Sequence, residues 1–366
     1  MSHPQNFPLI SGQQAINADS IRRELDRLLQ PNAAQPDQGN QLFRLRSASD
    51  WMEQASKRPI PKMLFGELWF QGELCIMFAD SNLGKSILAV QVGDSISRNE
   101  PLGPFRLEAG QQRILYFDFE LADKQFEARY SSNYIHHYPF THDFLRAELD
   151  PMADVPKDFG TFEDFLNHQL ENLVVSTGAT VLIIDNLTYL RSETERAKDA
   201  LPLMKHLKAL KTKHNLSILA LAHTPKRDPS SPITRNDLQG SKMLMNFCDS
   251  AFAIGESAKD NTIRYIKQIK QRNTEEIYGA SNICLFTITK PYNFLQYEFM
   301  AYGREWEHLR QPDDVDREAL KTQATELKAQ GKSLREIATE MGITHTRVAR
   351  LLKVKEESQK SMDHRP

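Results

Sequence analysis

Cysteine is scarce in this sequence, and the three residues present, Cys75, Cys248 and Cys284, are widely spaced. Disulfide-stabilised domains and zinc clusters need more cysteines at closer spacing, so both classes are excluded. No apolar run approaches the roughly 18 residues that a membrane-spanning helix needs. The opening MSHPQNFPLISGQQ lacks the charged-then-apolar pattern of a signal peptide. These absences predict a soluble cytoplasmic protein without a membrane partner.

An excess of one charge is also absent, because 46 Lys and Arg face 48 Asp and Glu and leave a formal charge of −2. This balance excludes a wholly basic nucleic-acid-coating protein and still allows a local basic patch. The chain does contain 40% hydrophobic residues, which is enough for a packed core. Its 366 residues suggest two domains, one large and one small.

Apolar segments alternate with amphipathic helical patterns between residues 46 and 305. The predicted strands are ELCIMFA, RILYFDF, TVLIID, SILALA and SAFAIG. Runs dense in Ile, Leu and Phe are typical of strands buried on both faces of a parallel sheet. Three later segments, TIRYIKQIKQ, ICLFTITKP and NFLQYEFMAYG, predict an antiparallel extension. The predicted fold class is therefore α/β, with a mostly parallel, doubly wound sheet.

The two ends of the chain differ from this central part. Residues 1–45 are polar and rich in Gln, Asn and Pro, and they predict a partly disordered arm with one short helical pattern. Residues 306–316 are acidic, contain proline and predict a linker. Residues 317–355 predict a small all-α domain, and residues 356–366 predict a disordered tail.

The segment FADSNLGKS follows a predicted strand and precedes a predicted helix, a context that indicates a phosphate-binding loop. Gly84 lets the backbone curl around a phosphate, Lys85 supplies a cation, and Ser86 binds Mg²⁺. Ala79 stands where the usual pattern has glycine, and its methyl group is a departure from that pattern. The predicted cofactors are ATP and Mg²⁺. The predicted ATP-binding residues are Asp80, Ser81, Asn82, Leu83, Gly84, Lys85 and Ser86.

Three polar residues stand at the ends of other predicted strands, where open α/β sheets bind ligands. Asp185 ends TVLIID and is predicted to hold Mg²⁺ opposite Ser86. Glu120 ends the strand expected to neighbour the phosphate-loop strand and is the candidate catalytic base, ahead of Asp118 one pleat earlier. His223 ends SILALA and is the candidate sensor of the γ-phosphate. The alternatives are a turn-forming Asp, a helix-start Glu and a surface His.

The segment KSLREIATEMGITHTRVARLLK resembles a helix-turn-helix of the resolvase or sigma-factor kind. Ser333 and Glu336 form a predicted capping box, and Gly342 lies at the turn. Residues 317–355 carry nine Lys or Arg against four Asp or Glu, which favours duplex DNA binding over a packing module. The predicted DNA-binding residues of the second helix are His345, Thr346, Arg347 and Arg350.

The segment TPKRDPSSPITRNDLQ follows His223 and predicts a mobile loop. Its cations Lys226, Arg227 and Arg235 could contact DNA phosphates in a central channel. The alternative is a solvated surface loop.

The order of these motifs, followed by DLQGSKMLMNFCDSAFAI and IKQIKQRN, resembles the RecA-like hexameric helicase ATPases, in particular the RepA-type helicases of plasmids and mobile elements. The resemblance implies that Lys270 and Arg272 act on the ATP of a neighbouring subunit in a homo-hexameric ring. From the residues alone, Lys270 and Arg272 share one strand face and have no carboxylate nearby in sequence, and exposed strand cations usually protect sheet edges.

The function expected from these patterns is an ATP-dependent DNA motor, a replicative-type helicase or translocase with single-stranded DNA in its channel. The alternative is an ATP-switched DNA-binding regulator or loader that unwinds nothing.

Overall fold

The computed structural model describes residues 43–150, 152–190, 200–225, 227–238, 241–310 and 314–360. Most of the predicted arm and Lys226 lie outside these residues. The chain divides into two units, residues 1–60 and 61–366, so the first unit extends beyond the predicted arm boundary at residue 45. Among the described helices none is long and apolar enough to cross a membrane.

The first unit contains helix α1, Ala48–Ser56. The helix begins there because the Ser47 hydroxyl accepts the backbone N–H of Asp50 at 3.1 Å, which satisfies one of the free donors of the first turn. None of its residues is buried.

The second unit is built on a nine-stranded sheet. Its strands are β3 (Leu74–Ala79), β4 (Ile114–Asp118), β7 (Phe144–Glu148), β8 (Val181–Asp185), β9 (Ser217–His223), β10 (Ser250–Glu256), β11 (Ile263–Lys270), β12 (Ile283–Thr289) and β13 (Gln296–Gly303). Their order across the sheet is β13-β12-β11-β10-β3-β9-β8-β4-β7. The strands from β10 to β7 in this order pair in parallel, and β11, β12 and β13 extend the sheet antiparallel. The predicted mostly parallel sheet with an antiparallel extension is thus confirmed.

Two short hairpins lie outside this sheet. They are formed by β1 (Met63–Phe65) with β2 (Trp69–Phe70), and by β5 (Ser131–Ser132) with β6 (His136–His137).

Helices cover both faces of the sheet. They are α2 (Lys85–Arg98), α3 (Asp123–Arg129), α4 (Phe162–Thr177), α5 (Ala200–His214) and α6 (Ser241–Phe247). On one face, Leu88 and Val92 of α2 pack with Tyr116 and Ile183. On the other face, α4 and α5 bury leucines against the opposite side of the same strands. Each fully buried Leu or Val contributes about 1.5–3 kcal/mol, so this two-sided core holds the strand ends in place.

The neighbour predicted for β4 is wrong. Strands β9 and β8 lie between β3 and β4, and β4 pairs with β8 and β7. The sequence also gave no strand for Phe144–Glu148, because Arg146 and Glu148 interrupt its apolar pattern at the edge of the sheet.

Three helices end the described chain: α7 (Asp314–Ala329), α8 (Leu334–Glu340) and α9 (His345–Lys360). They share a small core in which Ala324, Leu327, Ile337 and Val348 are buried. The predicted capping box at Ser333 is present. Helix α9 continues to Lys360, into the segment predicted to be a disordered tail.

The described residues of the segment 306–316 do not form the predicted linker. Its first residues pack on the sheet, because His308 Nδ1 lies 2.9 Å from Ser257 Oγ and Leu309 is buried. Its last residues belong to α7, which begins at Asp314.

Candidate active site

The phosphate-loop residues 80–84 connect the carboxyl end of β3 to the start of α2. Gly84 has φ +88°, a conformation that side chains other than glycine rarely adopt. A Cβ at Gly84 would also lie 2.9 Å from the Tyr297 hydroxyl and from Ile288. Ala79, by contrast, is the last residue of β3, where extended backbone accepts any residue. The departure from the usual glycine is therefore sterically harmless.

The Lys85 ammonium lies over the end of β3. Its Nζ donates to the backbone oxygens of Ala79 at 3.1 Å and Asp80 at 3.0 Å, and it lies 3.2 Å from His223 Nδ1. Burial lowers the pKa of Lys85, and the Asp185 and Glu120 carboxylates oppose this change. A desolvated cation at a helix start, next to free backbone N–H groups, is suited to bind a phosphate.

Asp185 ends β8 and is fully buried. Its Oδ2 accepts the Tyr116 hydroxyl at 2.7 Å, and no hydrogen-bond partner within the described ranges reaches its Oδ1. Burial raises the pKa of Asp185 to about 6, and the hydroxyls of Ser86 and Tyr116 oppose the increase. A buried, unpartnered carboxylate oxygen near the Ser86 hydroxyl fits a Mg²⁺ ligand pair.

No group of three His, Cys, Asp or Glu in the described part of the chain could hold a metal ion by itself. A Mg²⁺ ion at Asp185 and Ser86 would therefore take its other ligands from water and phosphate oxygens, as is usual for this ion.

Glu120 follows the end of β4 and points to the same site. Its Oε1 accepts a hydrogen bond from Asn186 Nδ2 and lies 3.4 Å from His223 Nε2. The His223 hydrogen bond lowers the pKa of Glu120, and the charges of Lys85 and Arg129 act in the same direction. An ionised carboxylate at this position can accept a proton from water.

Asp118, the alternative base, is already engaged. It is buried, its Oδ2 accepts Arg146 Nε at 2.9 Å, and its Oδ1 accepts the backbone N–H groups of Glu120 and Leu121. These contacts fix the bend after β4 that directs Glu120 inward.

Lys270 and Arg272 lie elsewhere. Strand β11 ends at Lys270, so the prediction that both residues share a strand face is wrong. Arg272 Nη1 lies 3.2 Å from Asp249 Oδ1, a carboxylate too distant in sequence to be recognised there. Lys270 Nζ donates to the backbone oxygens of Cys248, at 2.7 Å, and Met245.

Arg272 and Lys85 lie at opposite ends of the parallel sheet. Asp249 Oδ2 accepts the backbone N–H of Leu74, the first residue of β3, at 3.0 Å, whereas Lys85 contacts Ala79, the last residue. Five residue steps of strand span about 17 Å. The structure therefore does not bring Arg272 to the phosphate loop of its own chain.

The predicted mobile loop is bonded to the core over its described residues. Ile233 N–H donates to Glu305 Oε1 at 2.7 Å, and Lys267 Nζ donates to Ile233 O at 2.6 Å. Arg227 donates to Ser231 O, and Arg235 Nε donates to Ile269 O at 3.2 Å. A buried Lys267–Glu305 ion pair at 2.5 Å thus anchors this segment at Ile233.

The predicted DNA-binding residues of α9 lie in its first two turns. His345, Thr346 and Arg350 are exposed, and Arg347 is half-buried.

Sequence reasoning missed Tyr116 and Asn186 as members of the site. Tyr116 lies two residues before Asp118 on β4, and Asn186 directly follows Asp185. Polar residues next to predicted metal and base positions are the signal that could have identified them. Their contacts depend on the β4–β8 pairing, which the sequence did not predict.

A family model described as an AAA domain matches residues 40–229, which is more than half of the chain and includes the segment from the phosphate loop to His223. No curated protein matches the chain.

Proposed function

Because the chain belongs to the AAA-domain family, and its core is thus a nucleotide-hydrolysing ATPase, we propose that it is a ring-forming, ATP-driven DNA motor. In this proposal it is a helicase or translocase that serves plasmid or mobile-element replication. Hydrolysis takes place at the interfaces between subunits.

Each group around the phosphate loop has a role in hydrolysis. Asp185 and Ser86 would hold Mg²⁺, which would supply positive charge to stabilise the charge that develops on the transferred phosphate. Lys85 Nζ leaves the backbone oxygens of Ala79 and Asp80 and donates to phosphate oxygens instead. Glu120 takes a proton from the attacking water, and His223 contacts the γ-phosphate.

The position of Arg272 carries the proposal that subunits cooperate. Arg272 is half-exposed and lies at the sheet end away from its own Lys85. Its backbone is held rigidly, because Gln271 Oε1 accepts the N–H groups of Arg272 and Asn273 at 2.6 and 3.0 Å. Asn273 Nδ2 in turn donates to Glu73 Oε1 at 2.7 Å. A fixed, accessible guanidinium far from the site of its own chain is suited to complete the site of a neighbour.

The α7–α9 helices support the DNA-binding part of the proposal. A capped short helix, a turn at Gly342 and an exposed basic helix start are features that a helix-turn-helix would need to bind duplex DNA. Arg227 and Arg235 would face single-stranded DNA from an anchored loop.

A forked DNA duplex with a labelled strand tests the motor. We expect ATP-dependent strand displacement by the intact protein and none by Lys85→Ala. ATP hydrolysis that single strands stimulate, without displacement of the labelled strand, would reject the helicase. Normal hydrolysis by Lys85→Ala would reject the assigned phosphate loop.

A second candidate, an ATP-switched DNA-binding regulator, is favoured by one connection. The loop after His223 meets the segment before α7, because Arg310 N–H donates to Pro229 O at 3.1 Å. Helix α9 also acts on this loop through Arg347. Hydrogen bonds from Ser230 lower the pKa of Asp228, and the charge of Arg347 adds to that decrease. For a regulator, duplex affinity would change at least tenfold between ADP and a non-hydrolysable ATP analogue, with no strand displacement.

A further inference from the structure

Asn186 joins the base to the sensor. Its Nδ2 donates to Glu120 Oε1 and lies 3.0 Å from His223 Nε2. The other end of the amide is fixed, because Asn186 Oδ1 accepts the backbone N–H of Thr188 at 2.8 Å. The residue is almost fully buried, so its two N–H donors are held toward Glu120 and His223.

The His223 ring has a donor on each side. Lys85 Nζ lies 3.2 Å from Nδ1, and Asn186 Nδ2 lies 3.0 Å from Nε2. A neutral imidazole has one accepting nitrogen, so it can accept from only one of these two groups. While Lys85 donates to Nδ1, the proton stays on Nε2, where Glu120 Oε1 at 3.4 Å can accept it.

We propose that Asn186 is a positioning residue that sets the tautomer of His223 during turnover, an inference that rests on the proposed ATPase site. When Lys85 moves to the phosphate oxygens, Nδ1 loses its donor. Nε2 then releases its proton to water and accepts from Asn186, while Nδ1 takes a proton from water, so the ring stays neutral. The Nδ1–H group faces the region that Lys85 has left and donates to the γ-phosphate. The hydrogen bond that one ring nitrogen makes fixes the proton on the other.

A purely local role for Asn186 is the competing explanation. Asn186 precedes the 3₁₀ turn Leu187–Leu190, and its backbone oxygen accepts Tyr189 N–H at 3.3 Å. A turn-forming role needs only this oxygen and Oδ1, and aspartate supplies both. The Asn186→Asp variant therefore preserves the local role and removes the N–H donors.

In Asn186→Asp, the carboxylate accepts Nε2–H and holds His223 in the opposite tautomer. We expect kcat to fall by about 10²–10³-fold while the KM for ATP changes less than about threefold, a loss within the range of misplaced acid–base groups.

A double-mutant cycle supplies the second readout. Asn186→Asp also places a carboxylate beside Glu120, because Asn186 Nδ2 donates to Glu120 Oε1, and the cycle separates the two effects. If Asn186 acts through His223, Asn186→Asp in a His223→Ala background should lower kcat by less than about threefold further, whereas repulsion of Glu120 would lower kcat equally in both backgrounds. Nucleotide affinity, measured with a fluorescent ATP analogue, checks that each variant keeps its fold.

Three results would overturn the inference. They are Asn186→Asp with kcat within twofold of wild type, an equal fall in kcat when Asn186→Asp is made in the His223→Ala background, and loss of nucleotide binding, which would mark a structural role. Lys85→Ala is the separate control for the site: normal hydrolysis there would reject the proposed function instead.

Discussion

At the scale of single residues, the segment FDFE offers two carboxylates and the structure separates their tasks. Asp118 has no free oxygen, since it accepts Arg146 and two backbone N–H groups. Glu120 lies beyond the strand, in contact with Asn186 and near His223. A base must be ionised and able to reach water, and only Glu120 meets both needs.

We therefore expect Glu120→Gln to bind ATP normally and to lose hydrolysis by about 10²–10⁴-fold, because the amide cannot accept the proton. The matched variant Asp118→Asn removes the charge opposite Arg146 and should cost about 1–3 kcal/mol of unfolding free energy. Its kcat should stay within about tenfold of wild type. Steady-state hydrolysis and urea denaturation measure the two effects. The reverse pattern, with Asp118→Asn inactive and Glu120→Gln active, would exchange the assignments.

At the scale of helices and strands, the sequence predicted best the strands that are buried on both faces of the sheet. The strands that carry Ala79, Asp185 and His223 are continuous apolar runs, so their ends and their polar residues could be predicted. The order of strands could not, because it is decided by packing between distant segments. For the same reason the sequence could not predict the contacts that join Glu120 to His223 through Asn186. These contacts require that β8 lie beside both β4 and β9.

The C-terminal boundary shows a second limit of the sequence. From residue 306 the sequence is acidic and contains proline, a pattern that predicts a linker. The structure instead packs the first residues of this segment on the sheet, because His308 Nδ1 lies 2.9 Å from Ser257 Oγ and Leu309 is buried. A partner 51 residues away leaves no local sequence signal.

A deletion at this boundary tests whether α7–α9 form a separate module. Removal of residues 311–366 should leave single-strand-stimulated ATP hydrolysis within about threefold, because no buried residue of the sheet is lost. Duplex binding should weaken at least tenfold, since the basic helix start is gone. Removal of residues 305–366 is the control. It leaves the buried Lys267 without its partner Glu305 and should lower the free energy of unfolding by about 3–5 kcal/mol. Unfolding of the shorter deletion would show that the helices belong to the core.

At the scale of the whole molecule, the two halves of the proposed active site lie on different surfaces. The base, the cation and the metal ligands surround the phosphate loop. Arg272 stands at the other end of the same strands, fixed to Asp249. A ring of identical chains would bring the second surface of one subunit to the first surface of the next.

Mixing two inactive variants tests this arrangement. Arg272→Ala should bind ATP but lose about 10³-fold or more in hydrolysis, the scale of arginine-finger losses. Arg113→Ala is a matched control, because Arg113 is also half-exposed and also pairs with an aspartate, Asp143, at 2.9 Å; it should retain normal turnover.

When Arg272→Ala is mixed with Glu120→Gln, some interfaces join an intact Glu120 to an intact Arg272. Hydrolysis should then recover to about a quarter of the wild-type rate if subunits mix at random and interfaces act independently. Normal turnover by Arg272→Ala would reduce the residue to a surface cation. Absence of recovery, in rings that subunit-exchange fluorescence shows to be mixed, would remove the proposed site between subunits.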